Sequence, residues 1–143
     1  MEDIPPFDKV DKIWDEDKLR EKLEIPAEEK VADYYYHYAV CTWAVLEAKS
    51  SKIGSALRQL ETTVDKLMKK GHRVDMVIIV LDKLSTLEKK RFLREEGSFR
   101  LFEKRGKIKI PITIKGHNVL LIRREEFRTI AGRKRGLELW VYM

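Results

Sequence analysis

The stretch that decides the fold is Trp43-Ala44-Val45-Leu46-Glu47-Ala48-Lys49-Ser50-Ser51. Trp43 to Lys49 is an apolar run that closes on two opposite charges two residues apart. Side chains of a strand alternate between its faces. On a strand, Val45, Glu47 and Lys49 therefore share one face, and Ala44, Leu46 and Ala48 the other. A buried strand ending in Glu-x-Lys sets a carboxylate beside an ammonium at the sheet's edge. Such a pair can hold a divalent metal and orient an attacking water. It also occurs as an ordinary ion pair at a strand end, so the neighbouring segments have to decide.

Downstream, Ser51 is expected to cap a helix in which Ile53, Leu57, Leu60, Val64 and Leu67 form one apolar stripe. Lys69-Lys70-Gly71 ends it with cations and a C′ glycine. Val74 to Leu81 is nearly continuous apolar sequence, the pattern of a strand covered on both faces. Strand, helix and buried strand make a right-handed βαβ unit with a parallel pair. Upstream, Asp33 opens Tyr34 to Val40, whose aromatic and β-branched residues predict a strand. A hairpin near Cys41-Thr42 leads from it into the Trp43 strand. His37, among tyrosines, reads as structural.

Outward from this unit, Asp15 is expected to cap a helix from Glu16 to about Glu24. Pro26 opens a second short helical piece, Ala27 to Ala32. Residues 1–15, interrupted by Pro5-Pro6, read as a loosely ordered acidic arm. In the last third Thr86 is expected to cap a helix over Leu87 to Glu95, and Phe99 to Phe102 reads as a short strand. Lys107 to Lys115 alternates, with Ile108, Ile110, Ile112 and Ile114 on one face and Lys107, Lys109, Thr113 and Lys115 on the other. Pro111 marks it as an edge strand. Lys115-Gly116-His117-Asn118 turns into Val119 to Ile122, and Leu137 to Tyr142 reads as a final strand. The fold expected is α/β, a mixed β-sheet flanked by helices with a β-rich C-terminal part, in a single domain spanning 1–143.

Composition narrows the function classes. Apolar residues make up 43% of the chain, enough for a packed core, and charged residues 38%, well above the usual quarter. Lys, Glu and Arg supply most of that charge, as in many thermophile proteins. The single Cys41 excludes an internal disulfide and a Cys-rich zinc site, and fits a reducing compartment. Three scattered histidines make no His-rich metal box, and no Gly-x-Gly-x-x-Gly, P-loop or Gly-x-Ser-x-Gly pattern occurs. The acidic opening is not a signal peptide, and no apolar run approaches the ~18–20 residues that span a membrane. A soluble, cytoplasmic protein is expected. Charge is unevenly spread: residues 1–33 hold 6 basic and 12 acidic side chains, net −6, and the remainder holds 24 and 12, net +12. A basic body with an acidic arm points to a polyanion such as nucleic acid, or to solubility alone.

Glu47-Ala48-Lys49 at a strand end, Gln59-Leu60 one helix further on, and the buried Val74 to Leu81 strand follow in that order. Over about Asp33 to Asp82 this arrangement resembles the central part of the PD-(D/E)XK nuclease superfamily, to which archaeal Holliday junction resolvases and RecB-type nuclease domains belong. The resemblance implies a restriction-endonuclease-like core over 33–82 and a metal-dependent DNA nuclease, an Mg²⁺- or Mn²⁺-dependent deoxyribonuclease that hydrolyses phosphodiester bonds. It implies catalytic roles for Asp33, Glu47, Lys49 and Gln59, with Asp33 and Glu47 as metal ligands. Asp33 stands 14 residues before Glu47, but Ala32 occupies the place of the motif's proline. The family's N-terminal acidic helix residue has five candidates: Glu16, Glu21, Glu24, Glu28 and Glu29.

DNA is the expected partner, and a homodimer is an expected assembly. The residues expected to contact nucleic acid are Lys52, Lys107, Lys109, Lys115, Arg123, Arg124, Arg128, Arg133, Lys134 and Arg135. The alternative is a catalytically inactive nucleic-acid-binding or assembly module with a nuclease-like fold.

Overall fold

Six successive side chains, Met76 to Leu81, are buried without a break, so this strand runs through the middle of the molecule with both faces covered. The structure, a computed structural model, describes residues 10–38, 42–49, 53–82, 90–91 and 96–126. Among these, six strands form one mixed sheet: β1 (Val10–Asp15), β2 (Tyr34–Tyr38), β3 (Thr42–Lys49), β4 (Met76–Leu81), β5 (Lys107–Ile114) and β6 (His117–Arg123). Their order is β1-β2-β3-β4-β6-β5. β1, β2 and β3 are an antiparallel meander; β3, β4 and β6 are parallel; β5 returns antiparallel to β6. The helices are α1 (Glu16–Leu23), α2 (Ile53–Lys69) and α3 (Glu96–Arg105).

α2 crosses between β3 and β4, as the strand–helix–strand pattern requires. Its Ile53, Ala56, Leu60, Val64 and Leu67 are fully buried. They share one core with Val77, Ile79 and Leu81 of β4 and with Val119 and Leu121 of β6. The alternate residues Met76, Ile78, Val80, Leu120 and Ile122 are buried on the opposite face with Tyr34 and Ala44. The helix ends at Gly71, φ +82°, where His72 N–H donates to Leu67 O (2.9 Å) and Gly71 N–H to Met68 O (3.0 Å). This is the paired closure of a Schellman cap.

Near the N-terminus, Asp15 caps α1 as expected, its Oδ1 accepting from Lys18 N–H at 3.0 Å. Two expectations there are corrected. Residues 10–15 are not loose but form the edge strand β1, because Lys12 to Asp15 find partners along Tyr34 to His37. Trp14 also packs on Tyr35 (5.4 Å between ring centroids) and edge-on to His72 (5.1 Å). Ala27 to Ala32 is not helical: Glu29 N–H closes a turn on Pro26 O, and the Arg20 guanidinium binds the carbonyls of Pro26 and Glu29. Those two carbonyls are held by a side chain from α1, which no local helix propensity registers.

Tyr35 is buried with its hydroxyl donating to Arg73 O at 2.7 Å. Burial first, and then the Asp75 carboxylate, push its ionisation well above the ordinary tyrosine value of 10.0.

The expected strand at Phe99 to Phe102 is also overturned, since these residues lie within α3. Phe102 is buried, whereas Glu103, Lys104 and Arg105 are exposed, a helical rather than an alternating pattern. Gly106 ends the helix at φ +72°, donating to Phe102 O at 2.7 Å. β5 is an edge strand, as Pro111 requires, and its register shifts between Ile110 and Thr113. Lys115 and Gly116, both at positive φ, make the tight turn into β6. Lys90 and Arg91 are helical, but the remaining residues of the Leu87–Glu95 helix, its Thr86 cap, the Ser51 cap and the Leu137–Tyr142 strand lie outside the described residues.

Candidate active site

The antiparallel ladder of β2 and β3 fixes where the expected catalytic positions fall. Tyr34 is opposite Leu46 and Tyr35 opposite Val45; one further step of this ladder would oppose positions 33 and 47, and Asp33 itself stands in the bend that precedes β2. β3 in turn lies parallel to β4 with Glu47 in register with Ile79 and Lys49 with Leu81. Ile79 and Leu81 are both fully buried in the core shared with α2. Neighbouring residues of a sheet in register share a face, so positions 47 and 49 belong to the α2 face of an interior strand. They stand at its C-terminal end, beside the corresponding ends of β4. The backbone alone places Glu47 and Lys49; Asp33 is described with its side chain and is half-buried.

α2 supports this corner from above. Thr63 is fully buried; its hydroxyl donates to Gln59 O at 2.8 Å and accepts from Ala32 N–H at 2.8 Å. Gln59 Nε2 donates to Val31 O at 3.4 Å, and its Oε1 is buried with no hydrogen-bond partner. The two side chains clamp the backbone of residues 31 and 32 immediately before Asp33. Gln59 is therefore neither a solvated flank position nor held chiefly by another side chain. Thr63 was not foreseen, although a polar residue inside an apolar stripe is the signal that could have found it.

Asp33 and Glu47, if they held a cation, would offer it carboxylate oxygens. Two carboxylates are hard oxygen ligands, appropriate to Mg²⁺ or Mn²⁺ and poor for soft cations. Among the described residues, no group of three His, Cys, Asp or Glu side chains comes together as a metal site. Of the five N-terminal acidic candidates, Glu16 pairs with Arg20 (3.2 Å), Glu24 with Lys70 (3.4 Å) and Glu29 with Lys66 (4.0 Å), while Glu21 and Glu28 are exposed.

Among the described residues, the expected nucleic-acid contacts are dispersed. Lys107 and Lys109 are in register with Ile122 and Leu120, on the sheet face away from α2. β5 is also three strands from β3, about 14 Å at ordinary strand spacing. Lys115 does not continue their row: it sits in the turn and pairs with Asp65 of α2 at 3.0 Å. The hydrogen bonds from Lys69 and Lys115 hold the Asp65 carboxyl below its ordinary value of 3.8. Arg124 pairs with Asp82 at 2.6 Å, joining the ends of β6 and β4. Arg123 folds over Gly106 with its Nε buried and without a hydrogen-bond partner. Lys52, Arg128, Arg133, Lys134 and Arg135 lie outside the described residues.

No family model, curated protein or solved structure matches the chain. Among the described residues, no helix is long and apolar enough to cross a membrane.

Proposed function

We propose that this protein is a metal-dependent DNA nuclease with a restriction-endonuclease-like core, hydrolysing phosphodiester bonds through Asp33, Glu47 and Lys49. One observation carries the reading. Glu47 and Lys49 occupy consecutive positions on the helix-covered face of an interior strand, and Asp33 is the residue that one further step of the β2–β3 ladder would set opposite Glu47. Charged residues at core-facing positions are costly unless paired or bound to a cation. Directly opposed residues of an antiparallel pair have Cβ atoms about 4.5–5.5 Å apart, which lets two carboxylates share one cation.

In this reading Asp33 and Glu47 hold Mg²⁺ or Mn²⁺. When bound, the cation supplies Lewis acidity toward the scissile phosphate and lowers the pKa of a bound water. Lys49 orients the attacking water and stabilises negative charge as it develops on the phosphate. Gln59 and Thr63 keep the backbone before Asp33 at a fixed distance from α2. They are positioning residues.

The test is cleavage of DNA by purified protein with Mg²⁺ or Mn²⁺, with and without EDTA. The account expects metal-dependent cleavage, its loss with EDTA, and no cleavage by a folded Glu47→Ala protein. Robust EDTA-insensitive cleavage, or a fully active Glu47→Ala protein, would remove the assignment.

A further inference from the structure

Two clefts run along the exposed side of α2. The smaller, about 160 Å³, is lined by Glu29, Lys30, Ser55, Arg58, Gln59 and Thr62. The larger, about 590 Å³, shares Glu29, Arg58 and Thr62 and adds the exposed Glu61 and then Asp65, Lys66 and Lys115. Charge is distributed unequally along this channel. At the far end the cations are spent within the protein: Lys66 pairs with Glu29, and Lys115 and Lys69 both pair with Asp65. At the near end Lys30 and Arg58 are exposed and form no ion pair among the described residues, and Glu29 is already engaged by Lys66. The smaller cleft thus offers an ammonium, a guanidinium and the hydroxyls of Ser55 and Thr62, with its one carboxylate already bridged.

The position of this cleft gives it a role. Gln59 lines it and also donates to the carbonyl of Val31. Lys30 precedes Asp33 by three residues, so their Cα atoms are separated by no more than about 11 Å. We infer that the Lys30–Arg58 cleft is a phosphate subsite that seats the backbone of a nucleic-acid strand beside the Asp33 corner. The inference rests on the proposed nuclease reading for what the strand is doing there, but not for whether it binds. A guanidinium matches two phosphate oxygens at once, and Lys30, which lines the same cleft, adds a point charge. Contacts of this kind carry no sequence preference.

The test is oligonucleotide binding in EDTA, where no hydrolysis intervenes. Fluorescence anisotropy of a labelled single strand and of a labelled duplex is recorded for the wild type and for Lys30→Gln/Arg58→Gln. The control is Lys22→Gln/Lys104→Gln, which removes the same charge from exposed positions on α1 and α3. The cleft variant is expected to bind at least about tenfold more weakly at low salt. Its log–log salt slope should fall by about 1.4 on single strands or about 1.8 on duplex, for two lost phosphate contacts. Equal behaviour of the cleft and control variants would overturn the subsite. Tight, Arg58-dependent binding of inorganic phosphate in the absence of any loss of oligonucleotide affinity would overturn the assignment to a strand. Binding lost in the cleft variant without cleavage by the wild type leaves the subsite standing and removes the nuclease reading. Cleavage by the wild type with unchanged binding in the cleft variant does the reverse.

Discussion

Thr63 is the buried polar residue on which the corner around Asp33 depends. Its hydroxyl is both donor and acceptor, and its acceptor role satisfies a backbone N–H that has left helix and turn but not yet joined the sheet. Thr63→Val keeps the shape and removes both bonds, leaving the Ala32 N–H without its side-chain acceptor. It should cost about 1–3 kcal/mol in urea denaturation. Thr63→Ser keeps the hydroxyl and loses one methyl, for about 0.8 kcal/mol. A loss in Thr63→Val no larger than that in Thr63→Ser would deny the hydroxyl the larger share. The periodicity of α2 made its apolar stripe legible, but a threonine within it looks like weak noise on that pattern. Only the fold shows that position 63 faces the irregular segment leading into β2. Asp33, Glu47 and Lys49 are residue types at a spacing in the sequence; that Glu47 and Lys49 stand on the α2 face of an interior strand follows from the pairing with β4, which single-residue reading cannot supply.

At the level of elements, the local patterns that succeeded were long and the ones that failed were short. α2, with five apolar side chains on one stripe, and β4, with six buried in succession, were read correctly in type. Phe99 to Phe102 was too short to show a helical period, and its helix is defined by exposed charges and a terminating glycine further on. β1 failed for a different reason, because its register comes from β2, a strand distant in sequence. The junction after α3 gives a sharp prediction. A Cβ at Gly106 would stand 3.0 Å from Arg123 Nε and Nη2 and from Glu126 Cβ, whereas one at Gly71 would meet nothing within 4 Å. Both glycines have positive φ, so alanine at either costs about 1–2 kcal/mol of backbone strain. Gly106→Ala must also push back the Arg123 guanidinium and Glu126 Cβ, which would stand in tight contact with the new methyl. Its urea midpoint should therefore fall clearly below that of Gly71→Ala, and matching midpoints would deny the close approach.

Across the whole molecule, charge and topology were separable in the sequence but their combination was not. The contrast between residues 1–33 at net −6 and the remainder at +12 correctly marks a basic body. It does not reveal that Lys115 and Arg124 neutralise carboxylates inside the fold, or that Lys107 and Lys109 lie on the face away from α2. Removal of the acidic arm is correspondingly constrained: a truncation that spares β1 must stop before Val10. The central claim, that Asp33 and Glu47 from adjoining strands hold one cation between them, is most directly tested by titrating Mn²⁺ into the protein and following the signal of free Mn²⁺ by electron paramagnetic resonance. The account predicts one site in the wild type, loss of that site in Asp33→Asn and again in Glu47→Gln, and no further loss when the two are combined. Undiminished Mn²⁺ binding in either single variant, or no binding by the wild type, would contradict it.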